Sequence, residues 1–396
     1  MNSSYKEAIG FLESFINYEK LSKFPYKKSL KLTRVENLFK TLKIDAGALK
    51  VIHIAGTKGK GSTAVFLSFI LAACGFKVGL YTSPHLNDFR ERIKILTKSS
   101  LAKGKKDCKV RSALISKKEV VDLVREIQPI LNKEILHKKL GQISFFEVYT
   151  ALAFRYFLRQ KVDFAVLECG LGGRLDATNV SKPLISIITH IGYDHTRQLG
   201  KTLKEITHEK AGIIKKNVPV ISSWQNSNSL EVLRSKTVSF GSRLYVHRQD
   251  FQSQNLRLRP KHTIFDFTSF LGEYKGLKIK LLGEHQVENS SLAVLSSQIL
   301  EAKYKYKLKS ECMYNGLKQA FLEARFQIIN NNKKTFLLDI AHNPSSIKAL
   351  NAAINRYFFS KKIILVFGCC KDKDVKNMLN NMDFNNIILT LQYVTL

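Results

Sequence analysis

Val51-Ile52-His53-Ile54 runs through Ala55 into Gly56-Thr57-Lys58-Gly59-Lys60-Gly61-Ser62, a short apolar run that opens onto a glycine-rich, lysine-bearing turn. The apolar run predicts a buried strand, and Ser62–Cys74 predicts a helix with Gly75 at its C-terminal cap. A strand, a glycine turn and a helix in that order form a phosphate loop: glycines let backbone N–H groups turn inward, and the helix N-terminus adds its positive end. Lys60 would reach the β/γ-phosphates and Ser62 would face Mg²⁺. The spacing departs from the general GxxxxGK[ST] pattern, because Gly61 separates Lys60 from Ser62. Gly56, Thr57, Lys58, Gly59, Lys60, Gly61 and Ser62 are therefore the nucleotide-binding expectation.

Working outward, Phe76–Tyr81, Val162–Leu167 and Ile185–Ile191 are further strands, each apolar nearly throughout. Strands of that kind separated by helices predict an α/β fold, with a parallel sheet covered on both faces. Between Thr237 and Leu282 the pattern changes to short β-like pieces, Leu244–Val246, Thr263–Phe267 and Leu277–Leu282, expected as a small antiparallel layer on the same domain. Helices follow at Gln286–Leu300 and Glu311–Phe321. A second α/β series then begins with Phe326–Ile329 and Phe336–Ile340, followed by a helix from Pro344. It continues with Ile363–Phe367, a helix after Asp374, and Asn386–Thr390. The boundary falls near Leu322, giving domains 1–321 and 322–396. The second, Rossmann-like, is expected to be shortened at its C-terminus, with about three strands where five or six are typical.

The net charge is +32, from 64 Lys plus Arg against 32 Asp plus Glu. Such an excess suits a nucleic-acid surface or steering of polyanionic small molecules. The lysines are scattered, and the densest run, Lys98–Lys118, reads as a solvated loop without an aromatic RNA-binding motif. A general lysine bias gives the same picture. The six cysteines, Cys74, Cys108, Cys169, Cys312, Cys369 and Cys370, form no CxxC pair, so they read as buried reduced thiols rather than a zinc site or disulfide framework. No apolar run reaches the roughly 18–20 residues of a membrane helix. Met1–Lys20 lacks a signal-peptide pattern, and Ala8, Phe11, Leu12, Phe15 and Ile16 follow helical spacing instead. A cytoplasmic monomer is the expectation.

Further motifs stand in order along the chain. They are Thr82-Ser83-Pro84-His85-Leu86 with Glu91-Arg92-Ile93, Phe145-Phe146-Glu147, and Glu168-Cys169-Gly170-Leu171-Gly172-Gly173-Arg174-Leu175-Asp176-Ala177-Thr178-Asn179. Next come Gly192-Tyr193-Asp194-His195, Glu209-Lys210-Ala211-Gly212-Ile213, and Gly283-Glu284-His285-Gln286 with Asn289. The last are Ala324-Arg325-Phe326-Gln327, Asp339-Ile340-Ala341-His342-Asn343-Pro344 and Asp372-Lys373-Asp374. With the phosphate loop, this ordered set resembles the folylpolyglutamate synthase and dihydrofolate synthase family of the Mur ligase superfamily, from about Phe24 to Asp374. The LGGRLDATN and EKAGI stretches are the most specific. The Lys-Gly-Ser ending of the loop is similar to the folate branch.

The resemblance implies an ATP-dependent ligase. The acceptor carboxylate is phosphorylated to an acyl phosphate, and the α-amine of L-glutamate then displaces phosphate. Glutamate would be joined both to dihydropteroate and to reduced folates. Lys60, Glu168, His195 and Lys210 are the implied catalytic group. From the residues themselves, Glu168 at the C-terminal end of a buried strand beside the phosphate loop is a natural Mg²⁺ ligand. The resemblance adds Ser62 and Ser83 to that site. It also assigns His195 and a carbamylated Lys210 to a second Mg²⁺. Residue type alone reads His195 as a polar surface or capping residue and Lys210 as a surface lysine. By resemblance Asn289 contacts adenine, Arg325 and Asp339 contact phosphate and ribose, and His342 contacts the nucleotide as well. Ser83, Pro84, His85 and Arg92 would border the pterin and acceptor. Three departures stand out: Cys169 after the glutamate, Glu323-Ala324 where Pro-Gly is usual, and an early stop at Leu396. Two rival readings follow, an inactive relative with a truncated second domain and a basic nucleic-acid-binding protein.

Overall fold

The computed structural model describes residues 2–21, 24–99, 109–132, 141–332, 334–358, 362–369, 375–382 and 386–389. Its centre is an eight-stranded sheet. In chain order the strands are β1 (Val51–Ala55), β2 (Val78–Tyr81), β3 (Ile93–Ser99), β4 (Lys109–Leu114), β5 (Phe164–Glu168), β6 (Pro183–Ile188), β7 (Val220–Ser222) and β8 (Leu244–Val246). The spatial order is β4-β3-β2-β5-β1-β6-β7-β8, parallel from β2 to β8 with β3 and β4 antiparallel at one edge. Every residue of β1 and of β5 is buried, as the continuous apolar runs require.

The phosphate-loop helix, Lys60–Ala73, is buried from Ser62 onward. The sheet lies on one side of it, and helices Glu284–Tyr304 and Ser310–Gln319 cover the rest. A helix apolar on every face needs such a sleeve. Other helices start on sequence-encoded capping boxes, Ser116 with Glu119, Ser144 with Glu147 and Thr202 with Glu205. Glu147 also accepts Arg34 Nε at 2.8 Å in the interior, so the Phe145-Phe146-Glu147 motif holds the fold.

A three-stranded antiparallel sheet, β9 (Phe251–Arg259), β10 (His262–Ser269) and β11 (Gly272–Ile279), packs onto the same core through Phe265, Phe267, Leu277 and Ile279. Two sequence expectations change here. Leu244–Val246 pairs in parallel with β7 and belongs to the main sheet, and Thr237 closes on helix Ser227–Ser239. Strand β9 was not anticipated because its exposed Gln252, Gln254 and Asn255 break the apolar signal. The Lys98–Lys118 run is likewise not simply a loop, since Lys109–Leu114 is a paired edge strand and helix Lys117–Leu131 follows. Lysines on an edge strand discourage pairing with other chains.

Past Leu322, β12 (Gln327–Asn331) and β13 (Lys334–Leu338) form an antiparallel pair, where the sequence suggested successive α/β strands. Helix Pro344–Phe358 follows, and β14 (Ile364–Phe367) pairs in parallel with β15 (Asn386–Leu389). Two small clusters serve this region, one around Leu282, Phe326 and Ile354, the other around Ile347, Phe367 and Met378. At the N-terminus the first helix ends at Glu13, and Ile16 bridges to Ser144 instead of extending it. The Asp372-Lys373-Asp374 motif, Cys108 and Cys370 lie outside the described residues. Among the described cysteines only Cys169 is buried; Cys74, Cys312 and Cys369 are partly exposed. Among the described residues no helix is long and apolar enough to cross a membrane.

Candidate active site

β1 and β5 end side by side, with Ile54 opposite Glu168. The chain turns at Gly56–Gly59 into the helix, and Gly59 is its N-cap with φ of 87°. A Cβ at Gly59 would stand 2.2 Å from Asn289 Oδ1. Glycine there tolerates the left-handed backbone and lets helix Glu284–Tyr304 press Asn289 against the loop. The sequence suggests loop amides turned inward; not all of them are. Instead, the N–H groups of Thr57 and Lys58 donate to the His190 carbonyl at 2.9 and 3.2 Å, which moors the loop to the chain after β6. The first intrahelical bond is Thr63 N–H to Gly59 O at 2.9 Å. The amides of Lys60, Gly61 and Ser62 therefore lie ahead of it, at the positive end of the helix.

Glu168 is buried at the tip of β5. The Ser83 N–H donates to its Oε2 at 3.1 Å, and a Cβ at Gly61 would lie 3.3 Å from the same oxygen. Burial pushes this carboxyl up, while Lys60, the Ser83 amide, Arg325 and Arg92 pull it back down in that order. A buried carboxylate with so few donors is stabilised by a cation. Glu168 and the Ser62 and Ser83 hydroxyls would offer only oxygen, the donor type that Mg²⁺ takes. Among the described residues no three His, Cys, Asp or Glu side chains converge as a ready metal cage.

Lys210 is not on the surface. It is 4% exposed, and Nζ donates to Gly56 O at 2.8 Å. Burial, with Lys60 adding to it, lowers its pKa to about 7 against the opposing pull of Asp194. Neighbouring groups fix its position. Arg174 pairs with Glu209 at 2.8 Å, Tyr26 OH donates to Glu209 at 3.3 Å, and Asn179 Nδ2 donates to Arg174 O and Gly212 O. The most distinctive motifs in the sequence thus brace one another. His195 takes a left-handed backbone with φ of 47°; its N–H donates to Asp194 Oδ1 at 2.9 Å and its ring is about half exposed.

Arg325 approaches from the region past Leu322. Burial lowers its pKa, and Glu168 and Asp339 oppose that shift. Asp339 accepts the N–H groups of Phe326 and Ala341 at 2.7 and 2.8 Å, so it shapes the turn carrying Arg325. His342 is exposed, with Nδ1 at 2.8 Å from Ile340 O. Arg92 is fully buried, bonded to both Glu19 oxygens at 2.8 and 2.6 Å and donating from Nε to His85 Nδ1 at 2.9 Å. Burial and Arg92 lower the His85 pKa, so the ring is a neutral acceptor. The structure thus gathers Lys60, Gly61, Glu168, Ser83 and Arg325 in one place and Lys210 beside the loop, while His342 is exposed to solvent. Sequence reasoning missed two neighbours. His190 acts through a backbone carbonyl, which leaves no side-chain signal. His285 stood in a quoted motif without a role, and Asp339, Lys58, Glu288 and Arg325 all act on it.

The Mur ligase middle domain family matches residues 136–297, and the family described as Mur ligase, glutamate ligase domain matches residues 324–392. The dihydrofolate synthase/folylpolyglutamate synthase of Bacillus subtilis is 32% identical over 360 residues, covering 89% of this chain and 78% of that protein. The chain belongs to the folylpolyglutamate synthase/dihydrofolate synthase family of Mur ligases. The solved folylpolyglutamate synthase from Thermotoga maritima is 34% identical with a TM-score of 0.82, over 98% of this chain and 83% of that one. A solved FPGS–AMPPCP–folate complex is 28% identical with a TM-score of 0.83, over 97% and 88%. Enzymes of this family are ATP-dependent ligases. The α/β sheet with its separate antiparallel sheet is the Mur ligase fold.

Proposed function

We propose that this chain joins L-glutamate to the carboxylate of a folate-type acceptor at the expense of ATP, acting on both dihydropteroate and reduced folates. The observation that carries the reading is the meeting of Lys60 and Glu168 across Gly61 at the mouth of β1 and β5. The solved relative bound to AMPPCP, an ATP analogue, and folate supports the ligand classes.

In this reading the helix amides from Lys60 to Ser62 and the Lys60 ammonium hold the transferring phosphate, and Asn289 borders the adenine. Arg325, steered by Asp339, completes the phosphate contacts, with His342 meeting the nucleotide at the rim. Mg²⁺, held by Ser62, Ser83 and Glu168, would neutralise phosphate charge. Phosphoryl transfer needs such neutralisation and alignment more than covalent help from the protein. With a pKa near 7, Lys210 is partly a free amine, so it can add CO₂ and release a proton to become a carbamate. That anion, with His195, would serve a second Mg²⁺. Ser83, Pro84, His85 and the Arg92–Glu19 pair shape the acceptor side. The division into 1–321 and 322–396 is supported by the small cluster of Ile347, Phe367 and Met378, which lies wholly past Leu322. A cytoplasmic monomer with small-molecule substrates completes the reading.

The test is phosphate release from ATP and Mg²⁺ with dihydropteroate or tetrahydrofolate, each with and without glutamate. Turnover that requires both acceptor and glutamate supports the reading. ATP hydrolysis indifferent to either would overturn it.

A further inference from the structure

Two thiols with no part in the reaction meet at the far end of the phosphate-loop helix. Gly316 of helix Ser310–Gln319 packs directly on that helix, and a Cβ there would stand 2.5 Å from Ile70 Cα and 2.6 Å from its N. Backbones approach this closely only through a glycine. Cys74 lies one helical turn after Ile70, and Cys312 lies one turn before Gly316. Both cysteines therefore lie within one turn of the point where the two helices touch. The two thiols are close enough that each is the largest influence on the other's titration. Both are partly exposed on the rim of the main core.

Their surroundings prepare one of them to react. Cys312 is in the first turn of its helix, where the positive helix end favours a thiolate. The neighbouring Cys74 thiol, Lys98 and Lys309 pull its pKa down against burial and Glu311, while Cys312 and burial push that of Cys74 up. One thiol is thus ready to attack, and the other stands beside it to resolve.

We propose that Cys74 and Cys312 are a reversible redox pair, which a small disulfide of the glutathione class converts to an intramolecular disulfide. The Cys312 thiolate attacks one sulfur of the oxidant, whose S–S bond breaks and releases one thiol. Cys74 then loses its proton and attacks the Cys312 sulfur of the mixed disulfide, expelling the second thiol. Two protein thiols are oxidised by two electrons, and one oxidant disulfide is reduced to two thiols. The product staples the phosphate-loop helix to the last helix before Arg325, linking positions far apart in sequence, and so restrains the unfolded chain.

The full-length protein is equilibrated with a series of oxidised and reduced glutathione mixtures, quenched with acid and alkylated with N-ethylmaleimide. It is then mapped by mass spectrometry without reduction. The expected result is a linked peptide pair containing Cys74 and Cys312, the loss of two alkylatable thiols, reversal by dithiothreitol, and a higher Tm in the oxidised form. Cys74→Ser should instead trap glutathione on Cys312. The proposal is overturned if both cysteines of the unmutated protein stay alkylatable across the series, or if Cys312 carries glutathione with no link to Cys74. Both readouts use the unmutated chain, so a variant that fails to fold does not blunt them.

Discussion

The strands that frame the phosphate loop and the strands past Leu322 are built in opposite ways. β1 and β5 are buried at every position, and the helix between β1 and β2 is sheathed by two others. By contrast Phe336, Leu338, Ile364 and Val366 are between 46% and 66% exposed, and among the described residues their helices gather two small clusters. Burial therefore fixes the backbone at Lys60 and Glu168 rigidly. Arg325 sits on a turn held by the Phe326 N–H bond to Asp339, the Ala324 N–H bond to Gln327 Oε1 and the packing of Phe326 on Tyr357 and Phe358 in one of these small clusters. The site thus joins a rigid half to a lightly anchored half, and lightly packed segments are those that open at small free-energy cost.

The sharpest way to break this contrast is at Lys60. Lys60→Ala should keep the fold and lower ligase turnover by about a hundredfold to a thousandfold, since one preorganised charge at a reacting phosphate contributes on that scale. Steady-state kinetics on the purified variant decide it, and near-wild-type turnover would remove the loop from the mechanism. Glu168→Gln should come next, with turnover restored only at much higher Mg²⁺. A Mg²⁺ titration unchanged from wild type would contradict the assignment.

Stability tests the comparison itself. Phe66→Ala in the sheathed helix should cost about 3–5 kcal/mol, whereas Phe336→Ala should cost less than about 1 kcal/mol. Denaturant unfolding measures both, and similar values would erase the contrast between the two regions.

The smallest expected effect is the pH response of Lys210. Its folded pKa, about 7, lies below that of an unfolded lysine, so the folded state binds fewer protons between about 7 and about 10. Its contribution to stability should therefore rise with pH across that window and be absent below it. Under limiting CO₂, activity should also rise through pH 7 as the free amine appears. Lys210→Ala should lose both trends and regain some activity with short-chain carboxylates. Profiles identical in wild type and variant would exclude a carbamate.

Legibility in the sequence followed the same division. The buried runs of β1, β5 and β6 and the glycines of the loop could be read directly, because complete burial demands apolar residues and a tight turn demands glycine. β9 and β4 could not, since edge and surface strands carry Gln, Asn and Lys that resemble loop composition. Lys210 was misjudged on residue type because a buried lysine is rare. Only its carbonyl partner, 154 residues away at Gly56, explains it. The His190 carbonyl and the Cys74–Cys312 contact depend on tertiary packing, which residue types do not encode.

The central claim, phosphorylation of the acceptor carboxylate at the Lys60–Glu168 site, is tested most directly by isotope transfer. A folate acceptor labelled with ¹⁸O in its carboxylate is turned over with ATP, Mg²⁺ and glutamate, and the released phosphate is weighed by mass spectrometry. An acyl phosphate passes one acceptor oxygen to each phosphate, so labelled phosphate should appear in step with ligated product. Phosphate that stays unlabelled while glutamate is still joined would contradict the account.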